Sequence, residues 1–157
     1  MKGDVSIPFN MIFTIVLLVA LVIFGFYVIT EWGKMQELAQ IDTAVDSIRD
    51  VVDDWYYNTW PDSTKLYTIQ IPGSSTFCFI DPENPQTRLA GGWESNEIIE
   101  SMITENGYNL WIKYQNGASQ MGKVIDHMYV SQNFCASSGE ELKLENTGEN
   151  VEVSLHE

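Results

Sequence analysis

Residues able to do chemistry are few and scattered. Cys78 and Cys135 are the chain's cysteines, and neither the C-x-x-C spacing of a redox centre nor that of a zinc site is present. His127 and His156 stand apart, outside any H-E-x-x-H or other ligand cluster. Asp42, Asp46, Asp50, Asp53 and Asp54 recur along one segment, but they lack the Asp/Asn-Gly loop spacing that wraps calcium, and they read as a solvated helix face. Asp81-Pro82-Glu83 is an ordinary acidic loop, and Trp55, Trp60, Trp93 and Trp111 read as core and rim of a small sheet rather than a sugar platform. G-x-S-x-G, Walker A and Rossmann glycine patterns are absent. The sequence therefore offers no catalytic set, no cofactor or metal site and no small-molecule substrate, and the expectation is a protein that is not an enzyme.

The cysteines do carry an expectation of their own. As an even pair in an exported domain, Cys78 and Cys135 favour a disulfide. It closes a loop of about 56 residues, worth about 4 kcal/mol in the chain-entropy model.

The element that positions everything else is Met11 to Ile29, MIFTIVLLVALVIFGFYVI, which has no charge and no proline. About 19 residues at about 1.5 Å each span roughly 29 Å, the hydrocarbon thickness of a bilayer. Every helix face is apolar, so the stretch reads as a membrane span in contact with lipid. It exceeds the h-region of a signal peptide and no A-x-A site follows it, so it is expected to remain in the mature chain. Tyr27 and Trp32 sit where interfacial aromatics are favoured, and Lys2 against the acidic excess beyond Lys34 places the N-terminus in the cytoplasm and the rest outside.

The chain has 157 residues and a net charge of -14, from 22 acidic against 8 basic residues. That balance excludes ordinary nucleic-acid binding, which rests on Lys and Arg against phosphates. Residues 1–10 are a short N-terminal segment in which Ser6 can cap the helix and Pro8 fits a first turn. Residues 30–57 continue the helix amphipathically. Leu38, Ile41, Val45, Ile48, Val52 and Trp55 alternate at spacings of three and four, a heptad seam that packs either on this chain's own β-domain or on neighbouring copies. Gly25 and Gly33 are the expected bending points.

Residues 58–157 read as a β-rich domain. Lys65–Ile71 alternates, with Phe77–Ile80 as its expected hairpin partner, and Asp81–Trp93 reads as loop. Asn96–Asn106 is a short helix with Ile98, Ile99, Met102 and Ile103 inward and Gly107 as its stop. Tyr108–Tyr114 and Lys123–Val130 follow as strands flanking an Asn116-Gly117 turn, and Cys135 falls in an irregular segment. Glu141–Leu144 and Val151–Leu155 form a hairpin around Asn146–Asn150. The fold class is α+β: a long N-terminal helix, transmembrane then amphipathic, carrying a small antiparallel β-domain like a lollipop.

This plan of short basic leader, apolar span, continuing amphipathic helix and β-domain resembles type IV pilins and archaeal pilin-like proteins. The resemblance implies a prepilin leader of residues 1–3, cut between Gly3 and Asp4, and a homo-oligomeric filament at the cell surface packed through the N-terminal helix. Pro8 stands at the fifth mature position, where many pilins carry a glutamate, so charge pairing with a neighbour's terminal amine is not carried over. Ile7-Pro8-Phe9-Asn10-Met11-Ile12-Phe13, Asp54-Trp55, and Ile71-Pro72 through Phe77-Cys78-Phe79 also resemble short archaeal single-span proteins of unassigned activity. The functional expectation is a pilin or minor pilin, with a monomeric membrane-anchored binding domain as the alternative and a tethered enzyme behind both.

Overall fold

A computed structural model describes residues 9–71, 73, 75–85, 88–89, 93–94, 97–113 and 120–156. Helix α1 (Phe9–Asn58) is followed by β1 (Thr64–Thr68), β2 (Thr76–Phe79), β3 (Arg88–Leu89) and β4 (Trp93–Glu94). Helix α2 (Glu97–Asn106), β5 (Leu110–Lys113), β6 (Gln120–Lys123), β7 (Met128–Tyr129), β8 (Phe134–Ala136), β9 (Glu141–Asn146) and β10 (Val151–Leu155) complete the order. The fold is thus α+β. The chain divides into two compact units, one ending at Ala39 and the other running from Gln40. The residues expected to form a leader, Gly3 and Asp4 among them, and the Asn116-Gly117 turn lie outside the described residues.

The first unit is helical throughout its described part. Its apolar side chains from Met11 to Ile29 are almost all exposed, as Leu17 at 46 % and Phe26 at 69 % illustrate. No other described residue covers them, and the helix is long and apolar enough to cross a membrane. It passes through Gly25 and Gly33 without interruption, with open space where either would carry a Cβ. Near the end of the apolar run, the Thr30 hydroxyl bonds back to the carbonyls of Phe26 and Tyr27, at 3.1 and 2.8 Å, which keeps a polar group satisfied within the helix.

The second unit is built around two four-stranded sheets, ordered β1-β9-β10-β7 and β6-β5-β2-β8, with β3 and β4 paired separately. All pairings are antiparallel except β10 with β7, which is parallel. Ile41, Val45, Ile48 and Val52 of α1 share one core with Leu142, Leu144, Val151 and Val153 of the first sheet and Phe77, Phe79, Leu110 and Ile112 of the second. The opposite face of the second sheet forms a smaller core, in which Cys78 and Trp111 meet Ile103 of α2. Because β2 and β5 are covered on both faces, their sequences are near-continuously apolar instead of alternating.

Several expectations are corrected. Phe77–Ile80 does not form a hairpin with Lys65–Ile71: β1 pairs with β9, while β2 pairs with β5 and β8. Local sequence cannot reveal such long-range pairing. Cys135 lies in a strand, directly opposite Cys78 in the register, and the two form a disulfide with Cα atoms 3.9 Å apart. Trp93 belongs to β4 rather than to a loop. On α2, Ile103 is buried and Ile99 half-buried, but Ile98 is 70 % and Met102 44 % exposed, so the inward face is narrower than the apolar pattern implies. Gly107 does end that helix, at φ 66°. The Tyr108 amide closes the turn onto the Ile103 carbonyl.

Lys123–Val130 is not one strand. The chain leaves the second sheet after Lys123, passes through His127 at φ 60°, and joins the first sheet at Met128. Asn109 makes this crossing possible. Its buried side chain accepts from the Ile125 amide at 2.8 Å and donates to the carbonyls of Ile125 and Met128, at 2.7 and 3.2 Å. Gly122 is required beside it, because a Cβ there would lie 2.3 Å from the Tyr108 ring.

A second buried asparagine closes the end of α1. The last carbonyls of a helix have no partner within it. Here the Asn146 carboxamide donates to the Trp55 carbonyl at 3.1 Å and shares its protons with Tyr56 and Thr59, while its oxygen accepts from the Gly148 amide at 2.8 Å. Asn146→Ala should destabilise the domain by about 3 kcal/mol, the scale for stranding buried polar groups. Asn146→Asp should be no better, since it turns an acceptor toward acceptors at the negative end of a helix. Urea unfolding of the detergent-solubilised chain checks both, and a near-wild-type Asp variant would refute the capping role.

Candidate functional surfaces

Three surfaces stand out among the described residues: the uncovered apolar helix, an aromatic cluster at the end of α1, and a crevice between α1 and β1. The expected packing seam divides between the two units. Ile41, Val45, Ile48 and Val52 are buried in the domain core and Trp55 is half-buried against it, its indole N–H donating to the Ser63 carbonyl at 3.3 Å. Leu38, the first member of the seam, is 43 % exposed. The lower seam is therefore packed on this chain's own β-domain.

The aspartates on the other side of α1 keep company with solvent and single partners. Asp42 pairs with Lys123 at 3.2 Å and Asp46 with Arg49 at 3.0 Å. No group of three or more potential metal ligands comes together among the described residues. On β9, the Glu145 carboxylate hydrogen-bonds Lys143 at 2.7 Å and, by that bond and then by its charge, raises the lysine above its ordinary value. Both groups are exposed, and the pair is a surface feature.

The aromatic cluster was not legible in the sequence, where His127 looks isolated. Its ring stacks on Tyr56 with centroids 4.0 Å apart and meets Tyr57 edge-on at 5.3 Å. The Tyr57 hydroxyl and His127 Nε2 are 3.0 Å apart. The left-handed backbone at His127 aims the ring back at the helix end, and no local pattern signals that. Of the tryptophans, Trp111 is buried, with its N–H on Gln120 at 2.9 Å, while Trp60 is 84 % exposed.

The crevice holds about 890 Å³ and is open to solvent along one side. Gln40, Thr43 and Ser47 line it from α1, Tyr67, Thr68 and Gln70 from β1 and the residues after it. Ala44 and Ile71 give an apolar floor. At one side Ser47 Oγ and the Tyr67 hydroxyl are 2.9 Å apart. Among the described residues, its walls carry hydroxyls and carboxamides and no carboxylate or ammonium group, in a chain whose net charge is -14. Such a surface suits a neutral ligand rich in hydrogen-bonding groups. Among the described residues that line it, no nucleophile stands beside a base.

Comparison with protein-family models, with curated proteins and with solved structures finds no match.

The His127 geometry gives a specific ordering of variants. Alanine keeps the left-handed strain and loses the ring contacts, whereas glycine loses the contacts but is relaxed at φ 60°. His127→Ala should cost about 2 kcal/mol and His127→Gly about 1 kcal/mol less than that. Urea midpoints measured side by side test the order, and alanine equal to or better than glycine would contradict it.

Proposed function

We propose that the chain is a membrane-anchored structural subunit, its N-terminal helix in the bilayer and its disulfide-closed β-domain outside the cytoplasm. The observation that carries this reading is the contrast within α1. Among the described residues, the apolar side chains from Met11 to Ile29 are left uncovered, while the apolar stripe from Ile41 to Val52 is fully covered. An uncovered helix of that composition needs lipid or other apolar helices around it. The second unit packs around its own core, and its disulfide suits an oxidising compartment.

Within that reading, pilin-like assembly is the proposed working state. Copies pack through the uncovered helix and display the β-domains. The support is the order of parts: leader, span, amphipathic continuation that becomes core, β-domain. A monomeric anchored ectodomain is the second reading, favoured by the covered seam, which leaves the span as the main helix surface free to meet another copy.

Mass analysis of the N-terminus of the chain taken from membrane and surface fractions separates the two. A chain beginning at Asp4 supports processing and assembly. A chain beginning at Met1 or Lys2 removes the filament reading and leaves the anchored ectodomain. Compartment is read separately: in unreduced whole cells, maleimide should fail to label Cys78 and Cys135, and ready labelling would place the domain in a reducing environment.

A further inference from the structure

The first sheet ends at β1, and the parity of its hydrogen bonds shows what that edge offers. The Asn146 amide bonds the Ser63 carbonyl, and the Ile69 amide bonds the Glu140 carbonyl, at either end of the β1–β9 ladder. Odd-numbered residues of β1 therefore address β9. On the other side of β9, the His156 amide bonds the Glu141 carbonyl, so its odd-numbered residues address β10, in agreement. The N–H and C=O groups of Thr64, Leu66 and Thr68 must then point away from the sheet, where no further strand is present among the described residues.

Natural sheets blunt such edges with proline, bulges or charge. Among the outer strands β1 is the longest, at five residues, and within Thr64–Thr68 it has no proline, no acidic residue and a single lysine. The crevice lies at the C-terminal end of β1, between Thr68 and Gln70 on one side and Thr43 and Ser47 of α1 on the other, with Ser138 and Gly139 completing it. Its walls are uncharged, and Leu66 offers an apolar contact at 48 % exposure.

We infer that β1 and this crevice bind an extended, uncharged polypeptide segment, which adds to the first sheet as a new edge strand. The outward backbone groups supply main-chain hydrogen bonds, and the crevice takes the alternate side chains that point toward α1. A neutral glycan would satisfy the hydroxyls and carboxamides but leave the backbone row without matching partners. A charged segment finds no counter-charge among the crevice walls. The site lies wholly within the second unit and holds for a filament subunit or an anchored monomer.

The test is fluorescence anisotropy with the full chain in detergent and a labelled peptide of alternating threonine and valine, glutamine at both ends, acetylated and amidated. Saturable binding is expected. Leu66→Pro removes an N–H that faces the open edge and no bond to β9, so the domain should fold and bind the peptide at least about tenfold more weakly. Ser47→Trp, which fills the crevice from α1 and gives up the Tyr67 hydroxyl contact while leaving the backbone ladder intact, should weaken it similarly. Absence of saturable binding to the wild type overturns the inference. Equal affinity for Leu66→Pro overturns it too, and loss in Ser47→Trp alone would reassign the crevice to side-chain recognition. Should Leu66→Pro fail to form the Cys78–Cys135 disulfide, undiminished binding by Ser47→Trp is the overturning result.

Discussion

A helix must find partners for its last carbonyls, and in this domain one carboxamide does so. Asn146 is 2 % exposed and sits where β9 ends, beside the last turn of α1. Through it the helix end, the chain leaving the helix and the β9–β10 turn are held together: its amide bonds Ser63, its carbonyl accepts from Asp62, and its side chain reaches Trp55, Thr59 and Gly148. The register of β1 against β9 begins at the same place. If Asn146 shifted by one residue, the alternation that puts Leu142 and Leu144 into the core would invert. Helix position and sheet register are thus set by the same few polar contacts.

Asn109 plays a parallel part for the crossing between the sheets. Each asparagine is buried with both ends of its carboxamide bonded, which makes it specific: neither Asp nor Leu can donate and accept in the same plane. The apolar core supplies most of the driving force for folding. These two residues decide which backbone path that core stabilises. The disulfide adds to this by tying β2 to β8 across 57 positions of chain, an inner strand of the second sheet to its edge.

What the sequence revealed follows the range of the interaction. The long apolar helix, the amphipathic stripe from Ile41 to Val52, the α2 stop at Gly107 and the β9–β10 hairpin are local patterns with a fixed period or a turn signal, and each appears where expected. The β1–β9 pairing and the placement of Cys135 in a strand depend on residues far apart in the chain, and no periodicity encodes them. The break at His127 was hidden for another reason. Lys123–Val130 has strand composition, and the contacts that accompany the left-handed turn, Asn109 on Ile125 and Met128 and the His127 ring on Tyr56, come from residues distant in the chain. The aromatic cluster, the crevice and the open β1 edge are consequences of that tertiary arrangement.

The covered seam also constrains how copies of this chain can associate. With Ile41 to Val52 packed at home, the large uncovered apolar surface is the helix before it. Within lipid, apolar side chains gain little from leaving one hydrocarbon environment for another, and helices associate through close packing and polar contacts. Met11 to Ile29 is mostly Ile, Leu, Val and Phe, with Ala20 and Gly25 as its small residues and Thr14 and Tyr27 as its polar ones. A filament held by this helix would rest on many weak van der Waals contacts summed over numerous neighbours rather than on one strong pairwise interface. The acidic β-domains, at a chain charge of -14, would oppose close approach outside the bilayer unless cations screen them. Copies that assembled in this way would associate more strongly as ionic strength rises, the opposite of the weakening expected where an interface is held by complementary charge.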